Sequence, residues 1–148
     1  MNDTQSAPLD PEARQIRIHG PDDFEGMRHA GRLAAKTLDH ITPLVVPGVT
    51  TEELDRACHE FILDHGAIPA PLGYRGFPKS ICTSVNHVVC HGIPGDKRLA
   101  NGDIVNIDVT VILDGWHGDT SRMYNVGNVK RLAQRLVETT FHALWKGI

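Results

Sequence analysis

The 148-residue chain is long enough for one domain with a sizeable core, and its 15 basic and 18 acidic residues give a formal charge of -3. That balance excludes a field able to gather phosphate or anionic lipid, so neither nucleic acid nor a membrane is expected as a partner. No apolar run approaches the roughly 20 residues of a spanning helix, the start Met1-Asn2-Asp3-Thr4-Gln5 lacks signal-peptide order, and a cytoplasmic protein is expected.

Residues 1–15 carry Pro8, Pro11 and few apolar groups, which predicts a mobile tail, with the folded domain over residues 16–148. Pro21-Asp22-Asp23 offers an N-cap. Phe24, Met27, Gly31, Ala34, Leu38, Ile41 and Val45 then follow at steps of three and four, the spacing of a long amphipathic helix that Pro43 bends and Pro47-Gly48 ends. Thr50 and Glu53 have capping-box spacing, and Leu54, Cys58, Phe61 and Ile62 make a second helical face that stops at Gly66. Between Pro69 and Pro78 a Pro/Gly-rich loop carries Leu72, Tyr74 and Phe77, and a loop with embedded aromatics often lines something. Ser80–Val85, His87–Cys90, Ile104–Leu113 and Trp116–Val126 are rich in β-branched residues and read as strands. Val129, Leu132, Leu136, Val137, Ala143 and Leu144 mark a last helix. Two helices, an antiparallel sheet and one helix make an α+β arrangement, with helices packed on one face of the sheet.

The chemistry lies in the strand that contains Asp108 and the one that contains Asp119. Val105, Ile107, Val109 and Val111 point one way, while Asn106, Asp108 and Thr110 point the other. Asp114-Gly115 is a two-residue hairpin turn, and if Leu113 pairs with Trp116, Asp108 faces Ser121 and Asp119 faces Thr110. The two aspartates then share one face as diagonal neighbours about 7 to 8 Å apart along the backbone. Two carboxylates closing in a partly dry site need a proton or a cation between them, and a metal pair about 3.5 to 4 Å apart is well matched to two such groups. On pattern alone the alternative stays open: Asp119 on the surface, and Asp108 paired with Arg122 or a backbone amide.

Nine histidines favour a metal or acid–base site, and His91 is a candidate acid–base or substrate-contacting group. His87 and His91 have i, i+4 spacing, but on a strand they lie about 13 Å apart and cannot chelate one ion. Cys58, Cys82 and Cys90 lack C-x-x-C spacing, which argues against disulfides and thiolate zinc. Strand alternation places Cys90 in the core, opposite to His91. His117 reads as an exposed strand residue or as a partner of the site, and Asp103 as a turn-stabilising carboxylate beside Asn101-Gly102.

Several ordered motifs carry a resemblance. Val105-Asn-Ile-Asp-Val-Thr110, His117-Gly-Asp-Thr-Ser121, Val89-Cys-His-Gly-Ile-Pro94, Gly73-Tyr-Arg-Gly-Phe-Pro-Lys-Ser80, the segment Glu25–Ala35 and Pro47–Asp55 together resemble type I methionine aminopeptidase from about Ile16 onward. The likeness implies the first half of the pita-bread (creatinase/aminopeptidase) fold. It also implies removal of the N-terminal initiator methionine from peptides and nascent polypeptides. In this likeness Asp108 and Asp119 take the place of metal ligands, Asp108 chelating one ion and Asp119 bridging two. His91 takes the place of a substrate-contacting histidine near the scissile amide, and Tyr74, Phe77 and Cys82 line the methionine pocket, where a thioether packs well on aromatic edges. The implied cofactors are two divalent ions per complete site, whether cobalt, manganese, iron, zinc or nickel.

The family takes one further histidine and two glutamates from its second half, which these residues lack. Weak metal binding, slow turnover and a seam inviting self-association are therefore expected of the 148 residues, against a monomer for the complete family domain. Pro71 and His87 depart from the family pattern, which bears on fine selectivity. The competing expectations are a non-catalytic or binding module of the same fold, and a proline-specific aminopeptidase relative.

Overall fold

The computed structural model of the protein describes residue 16 and residues 18–148. The predicted tail over residues 1–15 lies outside the described residues. Helix α1 spans Pro21–Ile41 and opens on Gly20, whose N–H donates to Asp23 Oδ2 at 3.0 Å. Its buried stripe is Ala30, Leu33, Ala34, Thr37, Leu38 and Ile41, whereas Phe24 and Met27 are 48% and 49% exposed and stay out of the core. The helix also ends earlier than its apolar spacing suggests. Pro43 lies in a 3₁₀ turn over Thr42–Leu44, since a proline inside the helix would remove a hydrogen bond and clash with the preceding turn.

Helix α2, Thr51–Asp64, starts at the predicted capping box. Glu53 N–H donates to Thr50 Oγ1 at 3.1 Å, and Thr50 N–H donates to Glu53 Oε2 at 2.7 Å. The sheet is antiparallel around one long central strand. β3, Ile104–Leu113, pairs along its whole length with β4, Trp116–Asn125, while its other edge is shared by β1, Ile68–Pro69, and β2, Cys82–Val85. Leu113 pairs with Trp116, and the predicted hairpin register holds throughout.

Val105, Ile107, Val109 and Val111 face the core beneath α1 and α2 together with Leu38, Ile41, Leu54 and Ile62. α1 comes very close to β4: a Cβ on Gly118 would lie 2.2 Å from the Ala30 backbone, so only glycine admits the helix there. Tyr124 Oη donates to Leu38 O at 2.9 Å across the same interface. Helix α3, Arg131–Gly147, has no buried residue.

One predicted strand is absent. Val88 and Val89 favour extended backbone, yet Val88 N–H donates to Val85 O at 3.1 Å and closes a turn. Asn86 sits at φ 54°, with Nδ2 donating to Asp103 Oδ1 at 2.8 Å and Oδ1 accepting from Ile104 N–H at 3.1 Å. Side-chain hydrogen bonding of asparagine in the left-handed region overrides β-branched propensity. The strand-alternation argument for Cys90 therefore fails, and Cys90 is exposed rather than in the core.

Candidate active site

Asp108 and Asp119 lie on the sheet face opposite the core. Asp108 pairs with Ser121 on one side and Cys82 on the other, and Asp119 pairs with Thr110. Because paired residues share a face, Cys82, Asp108, Thr110, His117 and Asp119 all project to the side away from α1 and α2. Asp108 is half-buried and Asp119 exposed. Thr110 Oγ1 donates to Asp119 Oδ1 at 2.8 Å, which holds one carboxylate oxygen in a fixed direction.

Arg122 projects to the core side and donates to Asp39 of α1 at 2.9 Å. It is therefore not the counter-ion of Asp108. Among the described residues the ion pairs made by arginine and lysine go to Glu25, Glu52 and Asp39, and none to the two aspartates. Burial and then the negative charge of Asp119 hold the Asp108 carboxyl above the usual aspartate range, while His91 pulls it down. The face thus presents two mutually repelling carboxylates without a cationic partner from their own strands.

A cavity of about 820 Å³ opens beside them, with Tyr74, Phe77, Cys82, His91, Asp108 and Thr110 in its wall. Four of the sequence-predicted site residues, Tyr74, Phe77, Cys82 and His91, thus meet there with Asp108, whereas Asp119 lies outside the wall and is linked to it by its hydrogen bond with Thr110. His117 is exposed and also lines the cavity. Arg75, Ile93 and Thr110 are further wall residues, none of them a candidate site residue from the sequence. Thr110 alone has a usable signal, being directly opposite Asp119 in the hairpin register.

Each wall is placed by local backbone chemistry. The Tyr74 side lies in a 3₁₀ turn in which Gly73 has φ 81° and Arg75 φ 48°, with the Arg75 guanidinium 5.4 Å from the centre of the Tyr74 ring. On the opposite wall His91 takes φ 54°, and Gly92 docks on β2, where Thr83 N–H donates to Gly92 O at 2.8 Å and Gly92 N–H donates to Ser84 Oγ at 3.2 Å. A Cβ on Gly92 would lie 2.1 Å from Thr83 O, so this close approach requires glycine. Cys82 is buried, and burial together with Asp108 pushes its thiol up to about 11. It stays protonated at neutral pH and offers a soft, apolar wall rather than a thiolate nucleophile.

Acidic oxygen donors on a partly dry face are suited to a divalent cation. The fit is partial, since among the described residues no group of three or more His, Cys, Asp or Glu side chains comes together to hold a metal ion. No helix among the described residues is long and apolar enough to cross a membrane.

Known proteins resemble this chain in sequence and in fold. A methionine aminopeptidase of Rickettsia prowazekii is 67% identical over 133 residues, covering 90% of this chain and 51% of that protein. The crystal structure of methionine aminopeptidase from Rickettsia prowazekii superposes with a TM-score of 0.89 at 66% identity, over 90% of this chain and 54% of the other. A prolidase of Pyrococcus horikoshii shares the fold alone, with a TM-score of 0.72 at 19% identity over 87% of this chain and 36% of the other. The chain spans about half the length of the curated relatives it matches. These likenesses establish the α+β pita-bread architecture. The sequence profile of metallopeptidase family M24 matches residues 25–148, a span that includes both carboxylates and every named wall residue, and the chain belongs to that family.

Proposed function

We propose that these residues form the substrate-binding side of a metal-dependent methionine aminopeptidase, acting in the cytoplasm on the N-terminal methionine of peptides and nascent polypeptides. The observation that carries this reading is the shared face of Asp108 and Asp119 beside a cavity walled by Tyr74, Phe77, Cys82 and His91. Asp108 and Asp119 would hold two divalent ions, drawn from cobalt, manganese, iron, zinc or nickel. Such ions, when bound, polarise the scissile carbonyl and lower the pKa of water.

The chain's own residues bind and orient the substrate. Tyr74 and Phe77 offer aromatic edges to the methionine thioether, and Cys82 closes the same pocket with a protonated sulfur. His91, next to the Gly92 backbone that docks on Ser84, would donate to or accept from the peptide group beside the pocket. Thr110 fixes the direction of Asp119. Two carboxylates are few donors, so metal binding by Asp108 and Asp119 alone is expected to be weak.

Manganese titration, followed by paramagnetic broadening of backbone amide resonances, tests the assignment. Saturable broadening centred on Asp108 and Asp119 is expected, weakened about tenfold or more by Asp119→Asn. Hydrolysis measured with added manganese or cobalt should favour Met-Gly over X-Pro dipeptides. Broadening centred elsewhere, or a preference for X-Pro, would overturn the reading.

A further inference from the structure

Three polar side chains on one stripe of α2 take no part in the site described above, yet each grips a segment that forms it. Thr51, Asp55 and His59 are spaced four apart and so lie on one helix face. Thr51 Oγ1 both accepts from Gly95 N–H at 2.9 Å and donates to Gly95 O at 3.1 Å, and Glu52 N–H also donates to Gly95 O at 2.9 Å. Gly95 ends the segment that carries His91. One turn later Asp55 Oδ1 accepts from Ser80 N–H at 2.8 Å and Ile81 N–H at 3.1 Å. A further turn on, His59 Nδ1 and Ser80 Oγ share a hydrogen bond of 2.8 Å. Ser80 and Ile81 connect Phe77 to Cys82, that is, the opposite wall of the cavity.

We propose that Thr51, Asp55 and His59 act as a positioning clamp, in which one helix holds both walls of the cavity and sets the distance between the His91 segment and the Phe77–Cys82 segment. None of the three lines the cavity. Asp55 is only 7% exposed, and Ser80 only 2%. Burial pushes the Asp55 carboxyl up, against the two amides that pull it down, so a carboxylate here carries a desolvation cost that a packed apolar side chain would not. What it supplies instead is direction: two amides at the entry to β2 converge on one oxygen. Because Thr51 and Asp55 sit on the same rigid helix, the two walls cannot drift independently.

The proposal that the clamp shapes a methionine pocket rests on the function proposed above, so the test reads the two separately. Amide hydrogen exchange is measured on the whole chain carrying Asp55→Ala or Thr51→Val, with Asp55→Asn and Thr51→Ser as conservative partners. Asp55→Ala is expected to speed exchange at Ser80 and Ile81 about tenfold or more while leaving Gly95 within about twofold, and Thr51→Val to do the reverse. The conservative variants, which keep an acceptor oxygen, should restore most of the protection. In the same samples Met-Gly binding, followed by amide shifts at Cys82 and Thr110, should weaken in both disruptive variants and recover in the conservative ones. Uniform loosening of both segments, or no local change, would overturn the clamp. If exchange behaves as expected but the wild type does not bind Met-Gly, the function fails and the clamp stands. Should Asp55→Ala not fold, Thr51→Val decides alone, because a clamp requires local loosening at Gly95 with Ser80 and Ile81 still protected.

Discussion

Asp108 is an ionisable group held where its charge is unwelcome: burial and Asp119 both push its carboxyl up, and only His91 opposes them. A folded-state pKa above the unfolded one means that the folded protein binds the extra proton. The metal-free chain therefore loses stability as pH rises from the ordinary aspartate value through the raised one, and the loss persists at neutral pH. Asp108→Asn removes that charge with little change of shape. It should raise the melting temperature at pH 7 without metal, by a few degrees at most, leave it nearly unchanged near pH 3, and abolish the manganese response; thermal unfolding at the two pH values checks it. A lower melting temperature at pH 7 would show that the carboxylate is stabilising as it stands. The same side chain marks how far local pattern reaches. Strand alternation is enough to turn Asp108 away from the core that Ile107 and Val109 face, but only the Arg122–Asp39 pair removes Arg122 as its counter-ion, and Asp119 is exposed as the competing explanation expects.

Among the elements, the α1–β4 contact leaves no room for a side chain at Gly118. Gly118 meets the Ala30 backbone rather than a flexible side-chain tip, so Gly118→Ala forces the helix away from the sheet. Overpacking of this kind costs about 1–3 kcal/mol, and urea unfolding should report a loss in that range, with the hairpin register of the site face retained. A loss below about 0.5 kcal/mol, the range of ordinary surface substitutions, would mean that α1 yields easily. Helices and the β3–β4 hairpin are readable from spacing because their signals are local: a capping box, a 3.6-residue period, a period of two, an Asp-Gly turn. β1 and the turn at Asn86 are not. A two-residue strand has no period of its own and exists because Pro69 meets Val111, and the turn depends on Asp103, which is distant in sequence.

The folded body leaves α3 with its apolar stripe uncovered, since Leu132, Leu136, Phe141, Leu144 and Trp145 are all more than half exposed. A contiguous apolar patch of this kind promotes association in water. Sedimentation velocity on the 148-residue chain is expected to show a concentration-dependent rise in mass, which Leu136→Glu combined with Trp145→Glu reverses while the melting temperature stays within about 2 °C, because neither side chain is part of the core. Persistent monomer at high concentration would show that the stripe is harmless as it stands.

Neighbouring residues along the chain suffice to specify most of the helices and strands, the hairpin register, and hence the shared face of Asp108 and Asp119, because each follows from short-range interactions. Ordered motifs also bring Tyr74, Phe77, Cys82 and His91 forward as site residues. Long-range packing settles the rest: that these side chains meet around one cavity, that Cys90 is exposed, that Arg122 belongs to Asp39, and that one stripe of α2 grips both walls. Those facts depend on contacts between residues far apart along the chain, whose geometry is set by packing helices onto a twisted sheet and leaves no period in the sequence.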